Sequence, residues 1–159
     1  HLREAQRAAA VRDGALAAFY ALDQDPCSVA RVREEQAAHG VTPVLGAVKD
    51  VIVGRAAFPD LTLAYAAGLY DYLPDPVAAR LTARMFAMLA PGGRLVVANF
   101  CPTLRDVGMM ESFMAWRLIY RDEGDLARLA DALPAEQVAA RRLFRDPGGD
   151  VVYLEVTRA

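Results

Sequence analysis

Lysine is almost missing from this chain: of 18 basic residues only Lys49 is not an arginine, and 20 acids offset them to a net charge of −2. Acids and bases are interspersed, so there is no basic stripe of the kind that tracks a nucleic-acid backbone, and nucleic acid is not an expected partner. Histidine is scarce (His1 and His39), and so is cysteine (Cys27 and Cys101). The cysteines lie far apart with no CxxC spacing and no Cys/His cluster, so no zinc ligand set is present. The sequence leaves a disulfide open, but reduced thiols in a cytoplasmic protein are the expectation. Long apolar runs are also lacking, because Arg, Asp or Gly interrupts each one well short of a membrane span. His1 to Arg12 reads as a charged, Ala-rich helix and not as a secretion signal. Repeats, low-complexity tracts and linkers are absent too. What remains is 159 residues with an apolar content of 55%, enough for one domain over residues 1–159 with a substantial core.

The most telling stretch runs from Asp60 to Phe100. A continuous apolar segment (Leu61 to Ala66) reads as a buried strand. The loop Ala67-Gly68-Leu69-Tyr70-Asp71-Tyr72-Leu73 follows, then an amphipathic helix opened by Asp75-Pro76 with Val77, Leu81, Met85, Met88 and Leu89 on one face. Pro91-Gly92-Gly93 stops it, and Arg94 to Phe100 is a second buried strand. Strand, helix, turn and strand of this kind make the crossover of a parallel sheet covered on both faces. Ligands of such sheets sit beyond the C-terminal strand ends, which directs attention to the residues after Ala66 and after Val97.

The rest of the chain fits an alternating α/β pattern. Leu2 to Arg12 is a helix candidate ending at Gly14, and Ala15 to Leu22 reads as a central strand. Asp25-Pro26 starts a helix that runs to about His39 and stops at Gly40. Val41 to Leu45 is a short strand that Pro43 confines to a sheet edge. Met109 to Tyr120 and Asp125 to Leu133 read as helices. Ala140 to Phe144 and Val151 to Thr157 form an antiparallel hairpin around Asp146-Pro147-Gly148-Gly149-Asp150.

The ordered set resembles a class I S-adenosylmethionine-dependent methyltransferase over nearly the whole chain. Ala21-Leu22-Asp23-Gln24-Asp25-Pro26 looks like the end of that family's second strand, and Asp60-Leu61-Thr62-Leu63-Ala64-Tyr65 like its fourth. Leu89-Ala90-Pro91-Gly92-Gly93-Arg94-Leu95 is similar to the turn entering its fifth strand, and the hairpin matches its sixth and seventh. The resemblance implies a mostly parallel Rossmann-like sheet with a C-terminal antiparallel hairpin and S-adenosylmethionine as cofactor. A narrower resemblance lies in the Ala67–Leu73 loop wording, Asn99-Phe100, Met110-Glu111 and Trp116-Arg117-Leu118-Ile119-Tyr120-Arg121. It points to a bacterial subgroup linked to making 3-hydroxy fatty acid methyl esters. One departure stands out: no G-x-G-x-G run precedes Asp23, so the family's central first strand and glycine-rich loop are expected to be missing, with the chain beginning inside the following helix. That would leave unpaired ladder groups. Either the second and fourth strands pair directly, or a second copy in a homodimer fills the gap, or the sequence is a piece of a longer protein.

The resemblance and the residue chemistry together name a candidate site. Asp23 at a strand end can accept hydrogen bonds from both ribose hydroxyls, while Asp25 reads as a helix cap. Ala47 and Val48 would clasp the adenine through backbone groups and packing, with Asp50 either a substitute or a helix-start acid. Ala67 and Gly68 would let the cofactor approach the backbone closely. Tyr70, Tyr72, Asn99, Trp116, Arg117, Tyr120 and Arg121 are substrate-binding candidates, with Tyr72 alternatively a core residue under the next helix. If the acceptor is a carboxylate, Arg105, Arg117 or Arg121 would orient it; if it is a hydroxyl or amine, Asp71 or Glu111 would be the base. Met109, Met110, Phe113, Met114, Trp116 and Tyr120 suit either a lid over an acyl chain or ordinary core. Two other classes compete: a nicotinamide-dependent Rossmann enzyme, disfavoured by the hairpin and the lack of a dinucleotide fingerprint, and a non-catalytic interaction module of the same fold.

Overall fold

The structure is a computed structural model that describes residues 7–159. The helix expected over Leu2 to Arg12 lies partly outside the described residues; within them α1 covers Ala9–Arg12. The chain divides into two compact units, His1–Ala56 and Ala57–Ala159. No helix among the described residues is long and apolar enough to cross a membrane.

The first unit is built on β1 (Phe19–Asp23), α2 (Pro26–Gln36), β2 (Val41–Leu45) and α3 (Val48–Ile52). β1 begins four residues later than its apolar run. Gly14 takes a left-handed φ of 63° and the Ala15 N–H returns to Ala10 O, so the stop of α1 consumes the start of that run. Asp25 caps α2: its carboxylate accepts the N–H groups of Cys27 and Ser28 and the Ser28 hydroxyl. The Ser28 contacts, the hydroxyl first, hold this carboxyl below its usual range. Val29 and Val32 form the buried stripe of α2, which packs on both strands and ends in a 3-10 turn before Gly40 at φ 69°. β1 and β2 pair in parallel with Ala21 opposite Pro43, the edge setting that a proline requires. β1 is not the central strand its sequence suggested: among the described residues its one sheet neighbour is β2.

The second unit is a four-stranded sheet in the order β3-β4-β6-β5, made of β3 (Leu61–Ala66), β4 (Leu89–Phe100), β5 (Val138–Arg145) and β6 (Val151–Arg158). β3 and β4 are parallel; β4–β6 and β5–β6 are antiparallel. Among the described residues β1–β2 and β3–β4 are parallel and the C-terminal hairpin is antiparallel, the mixed α/β arrangement expected of a Rossmann-like sheet ending in an antiparallel hairpin. α4 (Asp75–Ala87) lies on β4, α6 (Glu123–Leu129) lies on β6, and the two helices pack together. They cover the face formed by Ala64, Leu95, Val97, Val152, Leu154 and Val156, all buried. Each large side chain buried there contributes about 1.5–3 kcal/mol. The α4 stripe is Ala78, Leu81, Thr82 and Phe86; Val77 and Met85 are half-buried and Leu89 belongs to β4. On β3 Leu63 and Tyr65 are exposed, so it is not the fully buried strand its composition implied.

Three local expectations change. α4 contains Asp75 as its first residue, with Pro74 at the cap position, so Asp75 is not the cap. The Pro91-Gly92-Gly93 stop lies inside β4, where the register against β3 jumps from Leu61–Leu89 to Leu63–Arg94. A Cβ on Gly93 would sit 2.6 Å from Leu61 O and 2.8 Å from Ala90 O, so this glycine permits the bulge by close backbone approach. The helix expected from Met109 to Tyr120 is only α5 (Val107–Phe113): Ala115 turns left-handed at φ 51°, and the chain beyond it spends its backbone bonds on neighbouring segments. The hairpin turn does form as expected, with Asp146 accepting the N–H groups of Gly148, Asp150 and Val151.

Gly93→Ala should lower stability by about 1–3 kcal/mol, the usual cost of forcing atoms into filled space. Urea unfolding followed by circular dichroism measures it, and a loss below about 0.5 kcal/mol would contradict the bulge argument.

Candidate functional site

Around the C-terminal ends of β3 and β4, three chain segments are stitched together. Segment 119–121 runs between the loop after β3 and the end of β4. The Ile119 N–H donates to Asp71 O at 2.7 Å, and the Arg121 N–H donates to Phe100 O at 3.0 Å. The Asn99 side-chain amide donates to Ile119 O at 2.8 Å and to Phe100 O at 3.1 Å. The Phe100 N–H donates to Asp71 Oδ1 at 2.8 Å.

Arg121 closes the arrangement. Its side chain is 2% exposed, and all three guanidinium nitrogens donate to protein. Nε and Nη2 reach Asp75 Oδ1 at 3.1 and 2.7 Å, Nη1 reaches Tyr70 O at 2.7 Å and Asn99 Oδ1 at 2.9 Å, and Nη2 also reaches Leu73 O at 2.5 Å. A buried cation is tolerable only when satisfied in this way. Arg121 therefore has no donor to spare for an acceptor carboxylate, and Asn99, 1% exposed, is committed on both sides of its amide. Tyr70 is a core residue as well: it has no exposed surface, and its hydroxyl bonds Thr82 Oγ1 at 3.0 Å. Burial raises its phenol out of the titrating range. These three leave the set of substrate-binding candidates because their polar groups are consumed by the fold.

Tyr72, a substrate-binding candidate with core packing as its alternative, is 53% exposed, and its hydroxyl accepts the Trp116 indole N–H at 2.6 Å. The Trp116 ring meets Phe100 edge-on at 6.3 Å. Asp71 is buried, and desolvation raises its carboxyl above the usual range despite the Phe100 N–H and the Arg121 charge. Tyr120 is half-buried, with its hydroxyl enclosed and without a hydrogen-bond partner among the described residues. Burial raises its phenol, and the charges of Glu111 and Asp71 add to the shift. Glu111 is half-buried on α5, while Arg105 and Arg117 are exposed. Of the Met/aromatic group, only Met110 is fully buried; Met109, Phe113 and Met114 are exposed.

On the same unit, Ala67 and Gly68 lie exposed just past β3, with Gly68 at φ 75° and open space where a Cβ would project. On the first unit, Asp23 is exposed at the end of β1, its Oδ1 accepting the Asp25 N–H at 2.9 Å. Ala47 and Val48 are half-buried at the start of α3. Asp50 accepts the Ala47 N–H at 2.9 Å and the Arg55 Nε–H at 2.8 Å, and these contacts, the backbone one first, lower its carboxyl. That is the helix-start role. Sequence reasoning missed Asp75 and Thr82; Asp75 was in view as a cap, but nothing local revealed its ion pair with a residue 46 positions away.

Arg121→Met should cost at least about 2 kcal/mol, since each buried acceptor left unpaired costs about 1–3 kcal/mol. Asp75→Asn should cost under about 1 kcal/mol, because that carboxylate is 76% exposed. Equal losses in paired urea melts would contradict the carbonyl-satisfying role. A second expectation concerns pH. The raised Asp71 carboxyl means its charged form destabilises the fold once pH passes the ordinary carboxylate value, so Asp71→Asn should raise the melting temperature at pH 7, with the gain shrinking toward pH 4. A gain that grows on acidification would contradict this.

No protein-family model matches the sequence, and no curated protein matches it. Solved structures do. A protein of Bordetella parapertussis described as a possible exported protein superposes with a TM-score of 0.71 at 16% identity, covering 88% of this chain and 53% of that one. OxaC in complex with sinefungin and meleagrin gives 0.66 at 18% identity, over 97% of this chain and 40% of that one. Magnesium protoporphyrin IX methyltransferase (ChlM) from Synechocystis PCC 6803 with bound SAH gives 0.64 at 13% identity, over 92% of this chain and 66% of that one. The chain thus spans about half or less of the first two and just under two thirds of the third. At these identities the likeness speaks to architecture, and the architecture is the Rossmann-like α/β fold of methyltransferases.

Proposed function

We propose that this chain carries out S-adenosylmethionine-dependent methyl transfer to a small acceptor with an acyl or other apolar portion. The observation that carries the reading is the fold likeness to methyltransferase structures, two of them holding SAH or sinefungin, over nine tenths or more of this chain. In this proposal Asp23 meets the ribose hydroxyls, Ala47 and Val48 the adenine, and Ala67 and Gly68 allow close approach of the cofactor. Gly68 suits that role because its left-handed backbone excludes a Cβ and the space beyond it is open. Methyl transfer is an in-line displacement at a sulfonium carbon, so the protein's work is to align the nucleophile and exclude water.

The exposed apolar side chains of Met109, Phe113 and Met114 support an apolar portion on the acceptor. The ester-forming subgroup resemblance points to a carboxylate acceptor. Against it stands Arg121, the buried cation nearest the candidate base, which is committed to four protein groups.

Calorimetric titration with S-adenosylhomocysteine tests the reading. Binding is expected, weakened about tenfold or more by Asp23→Ala, in line with the ~1.5–3 kcal/mol of hydrogen bonds to a charged group. Absence of binding would overturn it and favour a non-catalytic role.

A further inference from the structure

We infer that residues 114–118 form a strap across the ligand-binding end of β3 and β4, latched shut by Trp116 on Tyr72 and hinged at Ala115. What passes beneath the strap rests on the methyl-transfer reading; the strap itself stands on geometry.

Three observations carry it. The first is how unevenly the chain between α5 and α6 is held. Its second half is fixed: the Ile119 N–H donates to Asp71 O, the Asn99 amide to Ile119 O and the Arg121 N–H to Phe100 O, with the Arg121 side chain buried. Its first half is loosely tied. Among the described residues the N–H groups of Ala115, Arg117 and Leu118 donate to no backbone carbonyl, and Met114, Ala115 and Arg117 are exposed. Segments with few buried contacts and unpaired backbone open before the body of a fold does.

The second is the latch. Trp116 holds this half down: its backbone N–H donates to Met110 O at 2.9 Å, and its indole N–H donates to the Tyr72 hydroxyl at 2.6 Å. Its ring meets Phe100 edge-on at 6.3 Å. Tyr72 lies on the loop after β3, and Phe100 is the last residue of β4. Trp116 therefore bridges the two strand ends beyond which a parallel sheet takes its ligand.

The third is the hinge. Ala115 has a left-handed φ of 51°, which a residue with a Cβ seldom adopts. Strain of this kind persists only where the surroundings hold it, and it concentrates at switch segments. The holding residue here is its neighbour, Trp116. Releasing the latch relieves Ala115, so the closed strap is poised to open. Closed, it keeps water from the strand ends; open, it gives a path in and out. The latch joins protein to protein, so it sets the speed of entry and exit.

The test compares the native protein with Tyr72→Phe, which removes the acceptor of the latch. Hydrogen exchange of the ligand-free protein should rise about threefold or more at residues 112–118 and stay unchanged in the β5–β6 hairpin. Stopped-flow mixing with S-adenosylhomocysteine is followed by emission of Trp116, the only tryptophan in the chain. Association and dissociation rates should both rise about threefold or more. Unchanged exchange at 112–118, a rise shared by the hairpin, or unchanged rates would each overturn the proposal. A change in one rate alone would also overturn it, because it marks Tyr72 as a ligand contact. If Tyr72→Phe does not fold, Ala115→Gly decides with the opposite sign. Glycine relaxes the left-handed turn, so exchange at 112–118 should slow about twofold or more, and unchanged or faster exchange refutes the hinge. A chain with the predicted exchange that binds no S-adenosylhomocysteine would sink the methyl-transfer reading and leave the strap standing.

Discussion

A single buried guanidinium organises the second unit. Arg121 is removed from water at a cost of several kcal/mol, and that cost is offset only because it satisfies backbone carbonyls at Tyr70 and Leu73, the Asn99 amide and the Asp75 carboxylate. Those partners lie on the loop after β3, the end of β4 and the start of α4. The loop that carries Asp71 and Tyr72 is held by these hydrogen bonds together with the buried Tyr70 side chain. The same stitching joins Ile119 to Asp71 through the 2.7 Å backbone bond.

Much of the architecture was legible in the sequence, and what was not has a common cause. β2, β3, the hairpin strands, α2 and the Gly40 stop follow from local signals: a proline that tolerates only an edge, an aspartate that caps, glycines at left-handed positions. Errors arose where tertiary partners overrode local preference. Met109 to Tyr120 has the composition of a helix, yet its second half leaves helical geometry and Ile119 hydrogen-bonds with Asp71 and Asn99. Leu61 to Ala66 is apolar apart from Thr62, yet Leu63 and Tyr65 are exposed.

The site divides along the same line. Asp23 ends β1 and Gly68 lies two residues past β3, the places that the sequence pattern assigned them. Sequence could not say which polar groups were free. Tyr70, Asn99 and Arg121 look like ligand contacts in a linear reading, and all three turn out to be bonded to the protein. Tyr120 looks the same in the sequence and differs only in that its hydroxyl has no partner among the described residues. Long-range pairing, 51 residues from Arg121 to Tyr70, decides the matter and leaves no local trace.

The central proposal is methyl transfer from a bound sulfonium nucleoside, with Ala67 and Gly68, just past β3, the residues of the second unit proposed to meet it. Hydrogen exchange with and without S-adenosylhomocysteine, resolved by peptide, tests it most directly. The account predicts slowed exchange in the peptides spanning those residues and little change in the β5–β6 hairpin. Protection confined to the hairpin, or none anywhere, would contradict it.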